Sequence, residues 1–356
     1  MLSFETPPQR ICILRLSALG DVTHAIPVLR AIQQQWPGAK ITWICAGLEH
    51  RLLSAIDDVR FIVVDKSSGW RGYWRLWRQL SGERFDLMLQ MQTSARANLT
   101  GACVRASIKL GWDKHRARDL HRWFITHSIP ETPMQHQVQG HLSFARYIGL
   151  EADTPEWNFP VSEDAVKFVD QHVATDRRLL VISPCSSYPQ RNWLAERYAA
   201  VADHAIAKLD LQVVLSGGPS KLERQMGDEI SRNMRHQPID LIGKDTLPQL
   251  VAMLSRADVV LTPDSGPSHL ANMVGTAVVG LHASTWSRRS GPYHSLDLCV
   301  DKFPEAAQKF CNKPAEALRW GTRINHPDVM SLIQVDEVIA QIKNALNRPH
   351  RDIRTC

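Results

Sequence analysis

The 356-residue sequence has no apolar run that approaches the roughly 20 residues of a membrane-spanning helix. Its N-terminal stretch, MLSFETPPQR, lacks the charged start and apolar core of a secretory signal. Seven cysteines are scattered from Cys12 to Cys356 without the spacing of a disulfide framework or a metal site, so we expect reduced thiols. Integral membrane proteins and disulfide-stapled secreted domains are therefore excluded, and a cytoplasmic protein is expected.

Motifs of several nucleotide-dependent enzymes are absent as well. The first strand-like run is not followed by G-x-G-x-x-G, which argues against a nicotinamide dehydrogenase, and the P-loop G-x-x-x-x-G-K-[ST] of many kinases does not occur. No Asp-x-Asp pair suggests a bound divalent cation, so we predict neither a metal site nor a cofactor. The formal net charge of +6 suits an anionic partner. A basic nucleic-acid-binding protein is an alternative, although no recognised nucleic-acid module appears.

The length of the chain exceeds one ordinary hydrophobic core and fits two α/β domains. Strand-like runs alternate with helical patterns in both halves, which is typical of parallel sheets covered by helices. A stretch with proline and acidic residues, from Glu151 to Asp164, is the predicted linker. We predict domains at 1–160 and 161–330, and a C-terminal helix and tail at 331–356 that packs back on the first domain. The predicted strands are Ile11–Leu16, Ile41–Cys45, Phe61–Val64, Leu87–Met91, Leu179–Ser183, Val213–Leu215, Ile239–Ile242, Val259–Leu261 and Val278–Leu281.

The most informative segment is Leu261–Asn272, which reads LTPDSGPSHLAN. A short apolar run ends in a Pro- and Gly-containing turn and a helical pattern follows, with Ser265 or Gly266 suited to the N-cap. Free backbone N–H groups and the positive end of the helix dipole make such a turn a seat for a phosphate. His269 can donate to the same anion, and Asp264 can accept from a sugar hydroxyl. The simpler interpretation is an ordinary βα turn with a solvated histidine.

A matching turn lies near the N-terminus. A buried strand is predicted at 11–14, and the turn L-S-A-L-G-D after it leads into a helix that extends to about Gln35. Asp21 therefore projects from the carboxyl end of a strand, where open α/β sheets place their ligands. Gly20 permits close approach of a substrate. The alternative is that Asp21 only caps the helix, since aspartate is favoured at that position.

Together the two turns resemble glycosyltransferase family 9, the ADP-heptose:lipopolysaccharide heptosyltransferases. The resemblance is carried by Ser17-Ala18-Leu19-Gly20-Asp21-Val22-Thr23-His24 with Pro27, and by Thr262-Pro263-Asp264-Ser265-Gly266-Pro267-Ser268-His269-Leu270. Two weaker matches between them are Ser186-Ser187 followed by Arg191-Asn192-Trp193, and Gly217-Gly218-Pro219 followed by Glu223. The family's cation at the position of Arg191 is usually lysine, so a planar fork replaces a point donor.

The resemblance implies an α/β protein of GT-B architecture, in which two Rossmann-like domains face each other across a cleft. It also implies inverting, metal-independent transfer of L-glycero-D-manno-heptose from ADP-heptose to a Kdo residue of Kdo–lipid A in lipopolysaccharide inner-core synthesis. The N-terminal turn looks closest to the members that add the first heptose, and the stretch Trp320–Arg323 is similar to a subgroup with phosphorylated Kdo acceptors. Another nucleotide-sugar transferase of the same fold is the main alternative.

The resemblance also assigns residues to roles. Asp21 is the candidate general base, because a carboxylate can take the proton of the acceptor hydroxyl as the new bond forms. The first domain would bind the acceptor, with Ser17, Gly20 and His24 beside Asp21. The candidate donor-binding residues are Ser186, Ser187, Arg191, Gly217, Gly218, Glu223, Asp245, Asp264, Ser265, Gly266 and His269.

Two of these donor-side candidates have equally simple structural interpretations. Glu223 could hold a ribose hydroxyl or lie on a solvated helix face. Asp245 precedes a predicted helix start and is a candidate wall for the base or ribose, whereas Thr246 is expected only to cap that helix.

The acceptor side should be basic, because Kdo–lipid A carries carboxylates and phosphates. One basic cluster is a predicted helix in which Trp70, Trp74 and Trp77 share one face and Arg71, Arg75 and Arg78 the neighbouring one. Tryptophans at this spacing more often belong to a core, although such a helix could also touch anionic lipid headgroups.

A second basic cluster, near residue 116, adds Arg116 and Arg118 to the acceptor candidates. We expect a monomer that binds no nucleic acid and associates peripherally with the inner face of the cytoplasmic membrane, where a Kdo–lipid A acceptor lies.

Overall fold

A computed structural model describes residues 1–2, 4–65 and 68–348 of the chain. The chain divides into two compact units, 1–160 and 161–356, and each contains one six-stranded sheet. All strand pairs in both sheets are parallel. Within the described residues no helix has the length and apolar character needed to span a bilayer.

The sheet of the first unit has the order β3-β2-β1-β4-β5-β6. Its central strand reads RICIL, and the four residues from Ile11 to Leu14 are fully buried. Such continuous apolar runs are typical of parallel strands that are covered on both faces. The strands are β1 (Arg10–Leu14), β2 (Lys40–Ala46), β3 (Val59–Val64), β4 (Phe85–Gln90), β5 (Ala106–Gly111) and β6 (His127–Ser128).

Helices connect these strands. The first begins at Leu19, within the predicted turn, and ends at Gln35, as predicted; it packs against the last helix of the unit. The helices are α1 (Leu19–Gln35), α2 (Gly47–Leu53), α3 (Gly69–Leu80), α4 (Ala95–Ala102) and α5 (Gln137–Tyr147).

In α3 the structure differs from the expectation for the tryptophans. Leu76 and Leu80 are the residues that pack into the core, whereas Trp70, Trp74 and Trp77 are exposed. The two leucines complete the cluster formed by Val64 and its neighbours, so the helix is anchored without burying an indole.

The second unit also contains a six-stranded parallel sheet, with the strand order β12-β11-β10-β7-β8-β9. Its strands are β7 (Leu179–Ile182), β8 (Gln212–Leu215), β9 (Ile239–Asp240), β10 (Val259–Pro263), β11 (Ala277–His282) and β12 (Val300–Asp301). Its helices are α6 (Glu163–Asp170), α7 (Ala195–Leu209), α8 (Lys221–Asn233), α9 (Leu247–Arg256), α10 (Gly266–Met273), α11 (Ser287–Ser290), α12 (Phe303–Cys311) and α13 (Val335–Leu346).

The C-terminal helix α13 packs in the second unit. Val338, Ile342 and Ala345 are buried in the second unit's core, and the helix contacts α7 and β11. The prediction had placed this helix on the first domain. The amphipathic pattern shows that one face must be buried, but it does not say against which sheet.

All nine predicted strands are present, and β5, β6 and β12 were missed. β5 reads ASIKLG, in which polar residues interrupt the apolar pattern. Its Lys109 fits because the ammonium group donates to the carbonyl of Gly101 at 2.9 Å. β6 and β12 have only two residues each, too few for a periodic signal.

Two buried histidines of the first unit are held neutral. Burial lowers the pKa of His121 to about 4, and its Nε2 accepts a hydrogen bond from the backbone N–H of Trp112 at 3.1 Å. Burial, together with the positive charge of Arg15, lowers the pKa of His141 to about 4. The His141 Nδ1–H donates to the carbonyl of Gln137.

We therefore predict that the free energy of unfolding decreases as the pH falls from about 6.5 to about 4. Over this range the unfolded chain binds a proton at each histidine and the folded chain does not, which costs about 1.4 kcal/mol per pH unit for each group. Denaturant titrations of the wild type and of His141→Phe across this range measure the slope, and the variant should lose one histidine's share. His141→Gln is the second variant in case the first fails to fold. An unchanged slope in both would show that His141 does not titrate in this way.

Candidate active site

Both sheets contain a point at which the strand order reverses, between β1 and β4 in the first unit and between β7 and β10 in the second. The connections from these neighbouring strands leave in opposite directions, so a crevice opens at their carboxyl ends. Ligands of open α/β sheets bind in such crevices. Both turns singled out in the sequence start at one of these points, the first after β1 and the second after β10.

In the first unit, Gln92 and Arg15 link the two strand ends. The Gln92 side-chain oxygen accepts from the backbone N–H of Leu16 at 2.7 Å and from that of Ser17 at 3.3 Å. The guanidinium group of Arg15 donates to the carbonyl of Met91. Neither Gln92 nor Arg15 was among the sequence-predicted residues, since their importance depends on which strands are neighbours.

Asp21 lies in the first turn of α1, where its side chain accepts from the backbone N–H of Ala18 at 3.4 Å. It also forms an ion pair with Arg15, with 2.6 Å between Nη2 and Oδ2. The Arg15 side chain is 11% exposed and that of Asp21 is 34% exposed. The carboxylate is therefore oriented by a buried cation and still open to an incoming hydroxyl group.

A layer of aromatic and imidazole rings lies behind this turn. His24, one turn further along α1, is buried, with 5.8 Å between its ring centroid and that of His141. The ring of His141 contacts Trp112 at 5.2 Å, and Arg116 stacks on Trp112 at 4.6 Å. His24 and Arg116 are thus connected through two rings.

The structure separates the remaining acceptor candidates. Ser17 and Gly20 share the turn with Asp21. Arg116 is tied to Asp113 by an ion pair, so part of its donor capacity is used within the protein. Exposed positions on the same unit are occupied by Arg71, Arg75 and Arg118.

In the second unit, Arg191 links the two strand ends. Its Nη1 donates to the backbone carbonyl of Asp264 at 2.9 Å and to the side-chain oxygen Oδ2 at 3.2 Å. Burial alone would raise the pKa of Asp264, but His282, Arg191 and His269 together hold the pKa of this carboxyl below its usual value. Asp264 is therefore a buried, ionised group, and its side chain is only 9% exposed.

The turn after Asp264 has the predicted form. Ser265, one of the two predicted candidates, is the N-cap of α10, and Pro267 occupies the second helical position. The hydroxyl groups of Thr262 and Ser265 lie 2.8 Å apart, which ties the turn to β10. His269 Nε2 lies 4.0 Å from Asp264 Oδ1. The first backbone N–H groups of α10, beginning at Gly266, thus lie beside a histidine and a guanidinium group, an arrangement that favours an anion.

The serine pair after β7 forms a tight turn. Ser186 is buried; its hydroxyl donates to the carbonyl of Tyr188 at 2.7 Å and its backbone N–H donates to Asn192. Ser187 is exposed. The turn aligns the short segment that ends in Arg191, so Ser186 has a structural contact whether or not a ligand is bound.

The loop after β8 is closed by Glu223. Its carboxylate accepts from the Gly218 backbone N–H at 2.9 Å and from the Ser220 hydroxyl at 2.7 Å, while Gly217 accepts from Gly243. Burial, and then the negative charge of Glu223, raises the pKa of Asp245 to about 6.

The neighbouring Thr246 precedes α9, and its backbone N–H donates to Gln249, so its predicted capping position is confirmed.

Tyr188 and Arg323 lie beside Arg191 but were not among the sequence-predicted site residues. The guanidinium groups of Arg191 and Arg323 both lie over the ring of Tyr188, at 5.6 Å and 5.8 Å from its centroid. The Arg323 segment is held by its neighbour Ile324, whose N–H donates to the carbonyl of Ser284 at 2.9 Å. The only sequence signal was the stretch Trp320–Arg323, which had no assigned position in the fold.

No group of three or more His, Cys, Asp or Glu side chains is placed to hold a metal ion anywhere in residues 1–2, 4–65 and 68–348.

Comparison with known proteins agrees with this geometry. Residues 73–318 match the family model described as glycosyltransferase family 9 (heptosyltransferase). The chain is 39% identical over 340 residues to the lipopolysaccharide core heptosyltransferase OpsX of Haemophilus influenzae, covering 96% of this chain and 98% of that protein. It is 26% identical over 277 residues to lipopolysaccharide heptosyltransferase 3 of Escherichia coli, covering 75% and 80% of the two chains.

Solved structures show the fold. A family 9 glycosyltransferase from Veillonella parvula has a TM-score of 0.78 at 21% identity, covering 95% of this chain and 97% of that chain. The E. coli heptosyltransferase WaaC with ADP has a TM-score of 0.70 at 18% identity, covering 94% and 99%. The predicted α/β class, with two Rossmann-like units of GT-B type, is confirmed by these structures. The chain belongs to glycosyltransferase family 9, the heptosyltransferases, and is a glycosyltransferase.

Proposed function

We propose that the protein transfers L-glycero-D-manno-heptose from ADP-heptose to a Kdo residue of Kdo–lipid A, with inversion and without a metal ion. The observation that carries the proposal is the Arg191–Asp264 pair beside the N-terminus of α10 in a family 9 chain. The naming of the H. influenzae relative as a lipopolysaccharide core heptosyltransferase supports the sugar. The structural relatives with ADP and with ADP-2-deoxy-2-fluoro heptose support the donor.

On the donor side, the diphosphate of ADP-heptose lies against the first N–H groups of α10 and the cation Arg191. Negative charge grows on this diphosphate as the bond to the sugar breaks, and preorganised donors stabilise it. His269 supplies a further donor. Asp264 keeps Arg191 in orientation, because the pair makes two hydrogen bonds in a buried setting. The roles of Ser187, Gly217, Gly218, Glu223 and Asp245 in binding the nucleoside belong to the same proposal.

On the acceptor side, Asp21 takes the proton of the attacking Kdo hydroxyl while the new carbon–oxygen bond forms at the anomeric carbon. The diphosphate leaves with the electrons of the old bond, so a single displacement inverts the configuration. Arg15 holds the carboxylate for this step. The absence of an Asp-x-Asp pair from the sequence supports catalysis without a metal ion.

The acceptor determines where the enzyme works. Kdo–lipid A is anchored in a bilayer, so we infer that the protein works at the inner face of the cytoplasmic membrane. The first unit binds this anionic acceptor with its surface arginines Arg71, Arg75 and Arg118 and with Arg116.

Calorimetric titration with ADP, UDP and NAD, with EDTA present, tests the donor class. We expect ADP to bind selectively without a metal ion. A preference for UDP would indicate another nucleotide sugar on the same fold. If the protein bound DNA or RNA and none of the three nucleotides, the enzyme proposal would be wrong.

Replacing the base separates its chemical role from its structural one. Asp21→Asn keeps a polar group at the start of α1 and removes the proton acceptor, so turnover should fall by ~10²–10⁴ in a variant that still folds. Turnover is measured with ADP-heptose and Kdo–lipid A. Near-normal turnover would reduce Asp21 to a residue that caps α1.

We expect Arg191 and Arg323 to contribute to nucleotide binding, and the nearby Arg319 not to. Arg191→Ala and Arg323→Ala should each weaken ADP binding by about tenfold, the usual effect of losing a charge-assisted hydrogen bond, and should weaken adenosine binding much less. Arg319→Ala, in the same loop as Arg323, is the matched control and should bind ADP normally. Equal losses for ADP and adenosine would remove both arginines from the diphosphate site.

A further inference from the structure

Helix α3 carries three tryptophans that do not contribute to the core. Trp70 is 73% exposed, Trp74 51% and Trp77 46%. Their spacing of four and three residues places them in one stripe along the helix. Large exposed apolar side chains arranged in this way are unusual on a protein surface and mark interaction sites.

A different face of α3 packs into the core of the first unit. Leu76 and Leu80 are 4% and 1% exposed and pack in the cluster that contains Phe85 and Val104. The helix is therefore fixed on the first unit by these leucines, and the tryptophan stripe lies outside the cluster and is exposed.

The charge on α3 has one sign. Its sequence, GWRGYWRLWRQL, contains three arginines and no acidic residue. Arg78 lies over the ring of Trp74 at 5.5 Å, and Arg71 over that of Trp70 at 6.0 Å. Each guanidinium group is thus held beside an indole, so positive charge and apolar surface are presented together.

We propose that α3 docks the protein on an anionic lipid bilayer, with the tryptophan stripe at the level of the headgroups. Tryptophan favours this interface because its ring is apolar and its N–H can reach a polar partner. Arginines next to the stripe pair with lipid phosphates, each strengthening binding by about fivefold. The helix is about 18 Å long and lies in the plane of the surface, since it is too short to cross.

The choice of a lipid surface over other occupants rests on the charge of α3 and on the proposed function, whose acceptor is anchored in a bilayer. A nucleic acid or a second copy of the chain could cover the same stripe, and the experiment below distinguishes these two partners from a lipid surface.

Flotation of the full-length protein with vesicles tests the proposal. The wild type should bind vesicles that contain phosphatidylglycerol and phosphatidylcholine, bind pure phosphatidylcholine poorly, and lose binding at high salt. The combined substitution Trp70→Ser, Trp74→Ser and Trp77→Ser should lower binding by roughly tenfold or more. Trp123→Ser is the matched control, because Trp123 is 82% exposed and lies outside α3.

The proposal would be overturned if the wild type did not bind anionic vesicles, or if the triple variant bound them as well as the wild type. It would also be overturned if Trp123→Ser lowered vesicle binding as much as the triple variant does. A wild-type dimer in ultracentrifugation that the triple variant abolishes would indicate instead that a second copy of the chain covers the stripe. Tighter binding of the α3 stripe to DNA than to the vesicles would favour a nucleic-acid partner.

The vesicle assay contains neither nucleotide nor sugar, so its result is separate from that of the proposed function. ADP binding by the triple variant should equal that of the wild type, which shows that the variant is folded. If the wild type binds ADP but not the vesicles, only the docking proposal is wrong. If it binds the vesicles but does not bind ADP selectively, the proposed function is wrong instead.

Discussion

A buried guanidinium group at each reversal of strand order is the interaction on which both sites depend. Arg15 follows β1 and donates to the carbonyl at the end of β4, and Arg191 follows β7 and donates to the carbonyl at the end of β10. Neighbouring parallel strands leave their last carbonyls without a ladder partner at such a point, and a fork of five N–H donors can bind them and a carboxylate together. Removing either arginine would leave a buried carbonyl and a carboxylate uncompensated.

The same pairing serves two different purposes because the carboxylates differ in exposure. The side chain of Asp21 is 34% exposed and can meet a substrate, whereas that of Asp264 is 9% exposed and is surrounded by positive or polar partners. An open carboxylate is suited to accept a proton. A closed one is suited to orient a cation. The two units therefore reuse one structural device, and the solvent access of each carboxylate distinguishes a base from an anchor.

Much of the fold could be predicted because its strands are short apolar runs at regular intervals. All nine predicted strands exist, since most of them are buried on both faces and read as continuous apolar runs, although β3 and β9 at the sheet edges are only partly buried. β5 was missed because Lys109 interrupts its pattern, and it is tolerated only because Gly101 lies nearby to accept from the ammonium group. The tryptophans of α3 were expected in the core for a similar reason. Spacing shows which residues share a face, but it does not show which face is covered.

By itself, the sequence determined the two turns, the presence of a helix after each and the family, because local backbone preferences and short motifs depend on neighbouring residues. It indicated Asp21, Asp264 and Arg191 as members of a site. Only the tertiary structure decided that Arg15 pairs with Asp21, that Tyr188 has Arg191 and Arg323 on its ring, and that α13 packs in the second unit. Arg323 and α13 are far in the chain from the residues that they contact, and Arg15 is held beside Asp21 by the end of the neighbouring strand β4. These contacts therefore follow from strand order and packing rather than from local sequence.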